Sequence, residues 1–242
     1  MRCFFVSWLT LFLALIVLAG CTKRGSVSPP LSSKVYGAQI VEVSGGKQVA
    51  GVGSKLADPV VVQVNSADGS ALAGALVSLR GEGLVLNPTE ALSDASGQVS
   101  VSVQLGSFPG IYQVSAETQK SGGGTVAVNL SEVALGYQEK MGKEVNDKYC
   151  RACHDPESTP ERVSNLDNLT PPLPHQFTDG NTLNSMSDAD LIRIIADGGP
   201  ALGKSPQTPA YRSTLSPAQI KAVVAYIRAI ADPPYHALAA KH

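Results

Sequence analysis

Aromatic and charged residues are both scarce in this sequence of 242 residues. Aromatic side chains make up 5% of the chain, charged ones 16%, and the formal net charge is −1. So balanced a composition offers no basic face, which argues against nucleic acid as a partner. It gives equally little reason to expect electrostatic steering toward a protein. The length allows two modest domains.

Cysteine is also rare, and two of the four cysteines, Cys3 and Cys21, lie near the start. After Arg2, an apolar run extends to Leu18 and ends in Ala19-Gly20-Cys21. A positive start, an apolar middle and small residues at the end are typical of an export signal. The ending resembles the lipobox of bacterial lipoproteins, in which the cysteine becomes the first mature residue and carries the acyl chains. This resemblance predicts a signal peptide at residues 1–20 and lipidation of Cys21.

An uncleaved N-terminal membrane helix is the alternative, although the run is slightly short for a span. Both alternatives place the body of the protein in the cell envelope, anchored to a membrane; several acyl chains would hold it firmly. Thr22 stands where an acidic residue accompanies inner-membrane retention in some bacteria. We therefore expect the outer membrane or a periplasmic face rather than the cell surface. Residues 21–36, rich in Ser, Pro, Lys and Gly, are predicted to be a flexible tether.

Residues 37–134 carry the alternating pattern of β-strands. Residues 98–105 alternate strictly between polar and apolar side chains, and turn signals such as Asp68-Gly69 and Asp94-Ala95-Ser96-Gly97 separate the apolar stretches. About seven short strands with such turns predict an antiparallel β-sandwich. The pattern resembles the bacterial immunoglobulin-like repeats of adhesins. The segment contains neither His nor Cys, and Asp68 and Asp94 are better explained by turns than by calcium binding. Its expected role is that of a spacer, a docking surface or both.

From about Leu135 the period becomes helical. Helices are predicted from Gly136 to Tyr149, from Ser187 to Gly198, and after Ser216-Pro217, where a capping box and a first-turn proline coincide. Between the first two helices lies a long stretch rich in Pro and Asn, residues 155–187. So long an irregular stretch inside a compact domain indicates that it wraps around something.

The remaining two cysteines belong to Cys150-Arg151-Ala152-Cys153-His154, the spacing of covalent haem attachment. Two thiols three residues apart can each form a thioether with a haem vinyl group, and the adjacent imidazole can ligate the iron. A redox-active dithiol would need a thioredoxin-like context, which the sequence lacks. A structural zinc site would need a second cysteine pair or clustered histidines. The motif therefore predicts one covalent haem c, bound by Cys150, Cys153 and His154.

The surroundings resemble class I cytochromes c over residues 136–231. Gly142 and Tyr226 match the crossing of the first and last helices in that family, and residues 169–180 resemble its haem-wrapping loop. Asn146 is a departure, because the family usually has an aromatic residue there. The resemblance implies an all-α cytochrome domain at 135–242 that transfers electrons and is not an enzyme. A haem would also compensate for the shortage of large side chains in the core.

The distal loop departs further from the family. Its usual Ser-Pro-x-Met-Pro, whose methionine is the sixth iron ligand, is here Ser205-Pro206-Gln207-Thr208-Pro209. A threonine hydroxyl is a poor ligand for haem iron. Met186 is a possible substitute, His175 a less favoured one, and Met141 is expected only to pack. The remaining alternative is an open or water-bound site.

These features together predict a membrane-anchored mono-haem c-type cytochrome that exchanges electrons with an unidentified redox partner protein. The alternative function is a haem-based gas sensor or weak peroxidase with an open distal site. A peroxidase would ordinarily need a distal acid–base group, and most cytochrome-type peroxidases carry two haems. A third interpretation, a surface adhesin acting through the sandwich, leaves the haem motif unexplained.

Overall fold

The computed structural model describes residues 34–154 and 173–236. The expected signal peptide, Cys21 and nearly all of the expected tether therefore lie outside the described residues, as does much of the stretch between the first two helices. Among the residues that are described, no helix is both long and apolar enough to cross a membrane.

The first part of the described chain is a two-layer β-sandwich. Its nine strands are β1 (Gln39–Ser44), β2 (Val49–Gly51), β3 (Val60–Asn65), β4 (Leu76–Arg80), β5 (Val85–Asn87), β6 (Glu90–Leu92), β7 (Gln98–Gln104), β8 (Gly110–Gln119) and β9 (Thr125–Leu135). One sheet has the order β1-β3-β7-β5 and the other β2-β9-β8-β4-β6. The expected sandwich is thus present.

Alternation of valine with polar residues determines which side of each strand faces the core. In β7 the residues Val99, Val101 and Val103 are buried while their neighbours are half-buried or exposed. Successive side chains of a strand point to opposite faces, so a period of two in the sequence gives one apolar face. Burying each such valine contributes roughly 1.5–3 kcal/mol.

Three short strands were missed by the sequence analysis, and one of them corrects the expected pairing. Strands β2, β5 and β6 have only three residues each, too few to show a period. Strand β2 pairs in parallel with β9, with Val49 opposite Val133. The expectation of a purely antiparallel sandwich is therefore wrong at this edge.

The second part is helical: α1 (Tyr137–Tyr149), α2 (Gly180–Leu183), α3 (Asp188–Asp197) and α4 (Pro217–Ala229), with a 3-10 helix at Gly199–Leu202. The three long helices lie where the sequence predicts them. Ser187 and Ser216 cap α3 and α4 through their side chains, and Ser216 forms the predicted capping box with Gln219. The short α2 and the 3-10 helix were not predicted.

Helices α1 and α4 cross at Gly142. A Cβ atom added to Gly142 would lie 1.9 Å from the carbonyl oxygen of Ala222 and 2.8 Å from the Cβ of Tyr226. Only a glycine permits so close an approach of α1 to α4. The predicted crossing of Gly142 with Tyr226 is confirmed.

The sandwich and the helices share a small core. Strand β9 ends at Leu135, Gly136 is the N-cap, and α1 begins at the next residue. Leu135 is buried together with Tyr226 and Ile230 of the helical part, and Val49 and Val133 pack against this cluster. A one-residue connection and a common apolar cluster fix the two parts against each other.

The chain enters the sandwich at the end remote from α1. The amide of Gly37 donates to the carbonyl of Gln119, at the far end of β8, whereas Gly110 at its near end pairs with Ala134. Strand β8 has ten residues, and at about 3.3 Å per residue it spans roughly 30 Å. The sandwich therefore separates the entry point from the helical part by about this length.

Candidate haem-binding site

The two thiols and the imidazole of the motif lie on one tight turn at the end of α1. Cys150 is the C-cap, and its amide donates to the carbonyl of Asn146 at 2.8 Å. The carbonyl of Cys150 in turn accepts hydrogen bonds from the amides of Cys153 and His154, both at 3.0 Å. This turn brings together the three residues that the sequence identified.

Both thiols are free, and they differ in exposure. Cys153 is exposed, whereas Cys150 is half-buried. Burial, with a smaller contribution from Cys153, raises the pKa of the Cys150 thiol to about 11. A redox-active dithiol needs a lowered pKa to supply thiolate, so this environment does not suit the dithiol alternative.

His154 is oriented by a backbone hydrogen bond. Its Nδ1 lies 2.5 Å from the carbonyl oxygen of His175. A carbonyl only accepts, so Nδ1 carries the proton and donates it, which leaves a lone pair on Nε2. This is the tautomer that a metal-ligating histidine adopts when a second group fixes its ring. The ring also stacks on Phe177, with centroids 4.0 Å apart and an interplanar angle of 22°.

His175 takes part through its backbone, not through its ring. Its own Nδ1 lies 3.3 Å from a carboxylate oxygen of Asp179, and its side chain is largely exposed. Asp179 also caps α2, and the hydrogen bond from Thr182 is the main cause of the lowered pKa of its carboxyl. His175 therefore lies on the same side as His154, which does not favour it as a ligand on the opposite face.

The helical core consists of buried side chains surrounded by partly buried ones. Val145, Leu191 and Val223 belong to a buried apolar cluster. Against it pack six large apolar side chains that stay only partly buried: Tyr149, Phe177, Met186, Ile192, Ile195 and Tyr211. A flat apolar group next to the cysteines would complete the burial of such side chains. The residues present thus fit a haem.

Met186, the candidate sixth ligand, lies in a turn whose carbonyls accept hydrogen bonds from Arg228. The guanidinium of Arg228 donates to the carbonyls of Leu183 and Met186 at 2.7 and 2.6 Å and pairs with Asp188 at 2.9 Å. Its side chain is only 8% exposed. The side chain of Met186 is one of the six partly buried side chains named above. Sequence reasoning missed Arg228, whose contacts lie about 40 residues away in the chain.

Thr208 folds back on the pair of glycines after α3. Its carbonyl accepts from the amide of Gly199 at 3.1 Å, and a Cβ added to Gly199 would lie 3.2 Å from the Cβ of Thr208. Tyr211, three residues on, donates from its hydroxyl to the carbonyl of Tyr149 at 3.0 Å. Burial raises the pKa of Tyr211, with smaller contributions from the two nearby cysteines. An aromatic residue just after the distal loop was the only signal for this contact.

Asn146, which stands where the family usually has an aromatic residue, is buried. It is 4% exposed, and within the described ranges its Oδ1 has no hydrogen-bond partner. The third methionine, Met141, lies in α1 beside Gly142, and nothing places it at the motif. Asn146 therefore takes part in the site only through its carbonyl, which accepts the amide of Cys150.

A β-sandwich followed by a helical part with a Cys-x-x-Cys-His turn is the arrangement expected of a c-type cytochrome domain joined to a β domain. Residues 138–227 match the family described as cytochrome C oxidase, cbb3-type, subunit III. The match supports a cytochrome c domain with covalently bound haem c in this region. The matched region is a little over a third of the chain.

Solved structures resemble the chain only partially. The D00-D0 domain of intimin is 21% identical, with 42% of this chain and 48% of that one covered and a TM-score of 0.33. The adhesin InvE of Yersinia pseudotuberculosis is 12% identical, with 39% and 31% covered and a TM-score of 0.30. The chain thus spans about half the length of the intimin fragment. The comparison with curated proteins found no match.

Proposed function

We propose that this protein is a membrane-anchored electron carrier with one haem c, attached through Cys150 and Cys153 and ligated by Nε2 of His154. The observation that carries the proposal is the placement of His154. It lies on the same turn as two free thiols, and its Nδ1 donates to the carbonyl of His175. When bound, haem supplies a one-electron couple at its iron. The chain holds the imidazole in the ligating tautomer.

The test is the visible spectrum of the exported full-length protein. The oxidised and reduced forms should show c-type haem that survives acid–acetone extraction. The double variant Cys150→Ala/Cys153→Ala should lose covalent haem completely, and each single variant in part. His154→Ala should alter the spectrum, whereas the exposed His236, changed to Ala as a matched control, should not. Haem that resists extraction in the double variant would rule out thioether attachment at these cysteines.

Membrane anchoring is proposed through lipidation of Cys21. The separation of about 30 Å between the entry of the chain and α1 supports a spacer role for the sandwich. Cys21→Ala should release the protein from the membrane fraction, whereas Cys3→Ala, inside the expected signal peptide, should leave it there. A Cys21→Ala protein that pellets in high salt and resists carbonate would instead support the uncleaved helix.

The alternative function, binding of a small ligand at the iron, is favoured by Thr208 in the place of the usual methionine. An open site should be high-spin and should bind carbon monoxide readily when reduced. Ligation by Met186 should instead give a low-spin spectrum with the weak near-infrared sulfur-to-iron band, which Met186→Ala would abolish. A band that persists in Met186→Ala would show that the expected alignment of the distal loop is wrong.

A further inference from the structure

The segment that carries Thr208 completes the C-terminal end of α3. This distal segment, residues 204–212, places the amides of Tyr211 and Arg212 at 3.0 and 2.9 Å from the carbonyls of Ile195 and Ala196. The last four carbonyls of a helix lack partners within the helix. The distal segment therefore supplies donors that α3 needs whether or not any group is bound nearby.

The same segment also completes the end of α1. Tyr149 is the last residue of α1, and its carbonyl accepts the hydroxyl of Tyr211 at 3.0 Å. The two rings meet edge to face, with centroids 6.0 Å apart and an interplanar angle of 64°. One side chain thus ties the distal segment to the residue directly before Cys150.

An ion pair provides a second attachment. Nε and an Nη of Arg212 donate to the two carboxylate oxygens of Asp197, at 2.7 and 2.8 Å. Bidentate pairs of this kind are stronger than single hydrogen bonds, and a cation at the C-terminal end of a helix is favoured by the helix dipole. At the other end of the segment, the amide of Lys204 donates to the carbonyl of Gly199 at 2.9 Å.

From these contacts we infer that Tyr211 and Arg212 are positioning residues that hold the distal segment where an iron–thioether bond would otherwise hold it. The inference rests on the proposed haem site. Thr208 gives the segment no sulfur ligand, yet the tyrosine hydroxyl holds it to α1 and the bidentate pair holds it to α3. The segment keeps its position without contributing a ligand to the iron.

Hydrogen exchange of the full-length protein tests this inference. In Tyr211→Phe/Arg212→Ala, the amides of Gly199, Lys204 and residue 212 should lose at least tenfold in protection, while those of α4 should not. The control is Tyr112→Phe/Arg193→Ala, which removes a comparable tyrosine-to-carbonyl bond, from Tyr112 to Phe108 at 3.0 Å, and an exposed arginine of α3. The control should leave protection of the distal segment unchanged.

A methionine at position 208 provides the decisive comparison. Thr208→Met is added to Tyr211→Phe/Arg212→Ala in the haem-loaded protein. If this triple variant shows the sulfur-to-iron band, it should regain the protection that the double variant lost. Unchanged protection in the double variant, or a loss spread equally over α4, would overturn the inference. Absence of any haem spectrum would instead refute the proposed function. Hydrogen exchange in the haem-free chain would then still show whether Tyr211 and Arg212 hold the distal segment.

Discussion

Glu132 is a carboxyl group at a position of β9 that faces the sandwich interior. It is fully buried; its Oε2 accepts the amide of Gln48 at 2.8 Å, and within the described part of the chain its Oε1 has no partner. Burial, opposed by the bond from Gln48 and reinforced by the charge of Glu42, raises its pKa to about 8. Glu132 thus carries a proton at neutral pH in the folded state.

This protonation makes stability depend on pH. The folded pKa is about 8, above the ordinary value of 4.5, so the folded state binds more protons than the unfolded state between these values. The contribution is fully present below pH 4.5 and is lost as the pH rises through 8. A pKa difference of this size corresponds to roughly 5 kcal/mol at most.

Urea titrations of the wild type and Glu132→Gln at several pH values test this prediction. Glutamine keeps an acceptor for the amide of Gln48 and cannot ionise, so the difference between the two proteins should grow in favour of the variant as the pH rises to 8 and should level off above it. Parallel curves across that range would show that Glu132 ionises in the folded protein as it does in the unfolded one.

At the scale of elements, stability should be sensitive to substitution at the crossing of α1 and α4. Gly142→Ala should destabilise the protein by about 3 kcal/mol or more, because the new methyl group meets helix backbone that cannot move alone. Gly51→Ala is a matched control, since its Cβ would meet nothing closer than the Oγ of Ser54 at 3.4 Å, and it should change stability by less than about 1 kcal/mol. Denaturant midpoints provide the comparison; equal midpoints would mean that the helices separate readily.

The elements also show what a sequence can and cannot predict. Val99, Val101 and Val103 alternate over a strand long enough to show its period, and Ser216 begins a helix by local chemistry alone. Strand β2 has three residues, and its pairing depends on β9, some 80 residues away. Tyr211 and Arg228 act on carbonyls distant in the chain. Such contacts come from tertiary packing and leave no local pattern.

At the scale of the whole molecule, the shared cluster of Leu135, Tyr226 and Ile230 predicts joint unfolding. Val49→Ala, in the sandwich, should also lower the free energy of unfolding of the helical part, by about 1 kcal/mol. Val85→Ala is the control, because that valine of β5 is 62% exposed. Far-ultraviolet circular dichroism and haem absorbance should follow one transition; a shift seen by only one probe would show that the two parts unfold independently.

The single residue between β9 and α1 has a mechanical consequence. With no hinge at Gly136, a rotation of the sandwich turns the cytochrome domain through the same angle, and a tilt of about 10° about the far end of β8 displaces the near end by roughly 5 Å. A ligand bound to the outer face of the sandwich, where Leu76 and Leu92 lie exposed opposite each other, therefore also sets the orientation of the helical part. Torque applied to one part is transmitted to the other without any contact near the turn that carries Cys150 and Cys153.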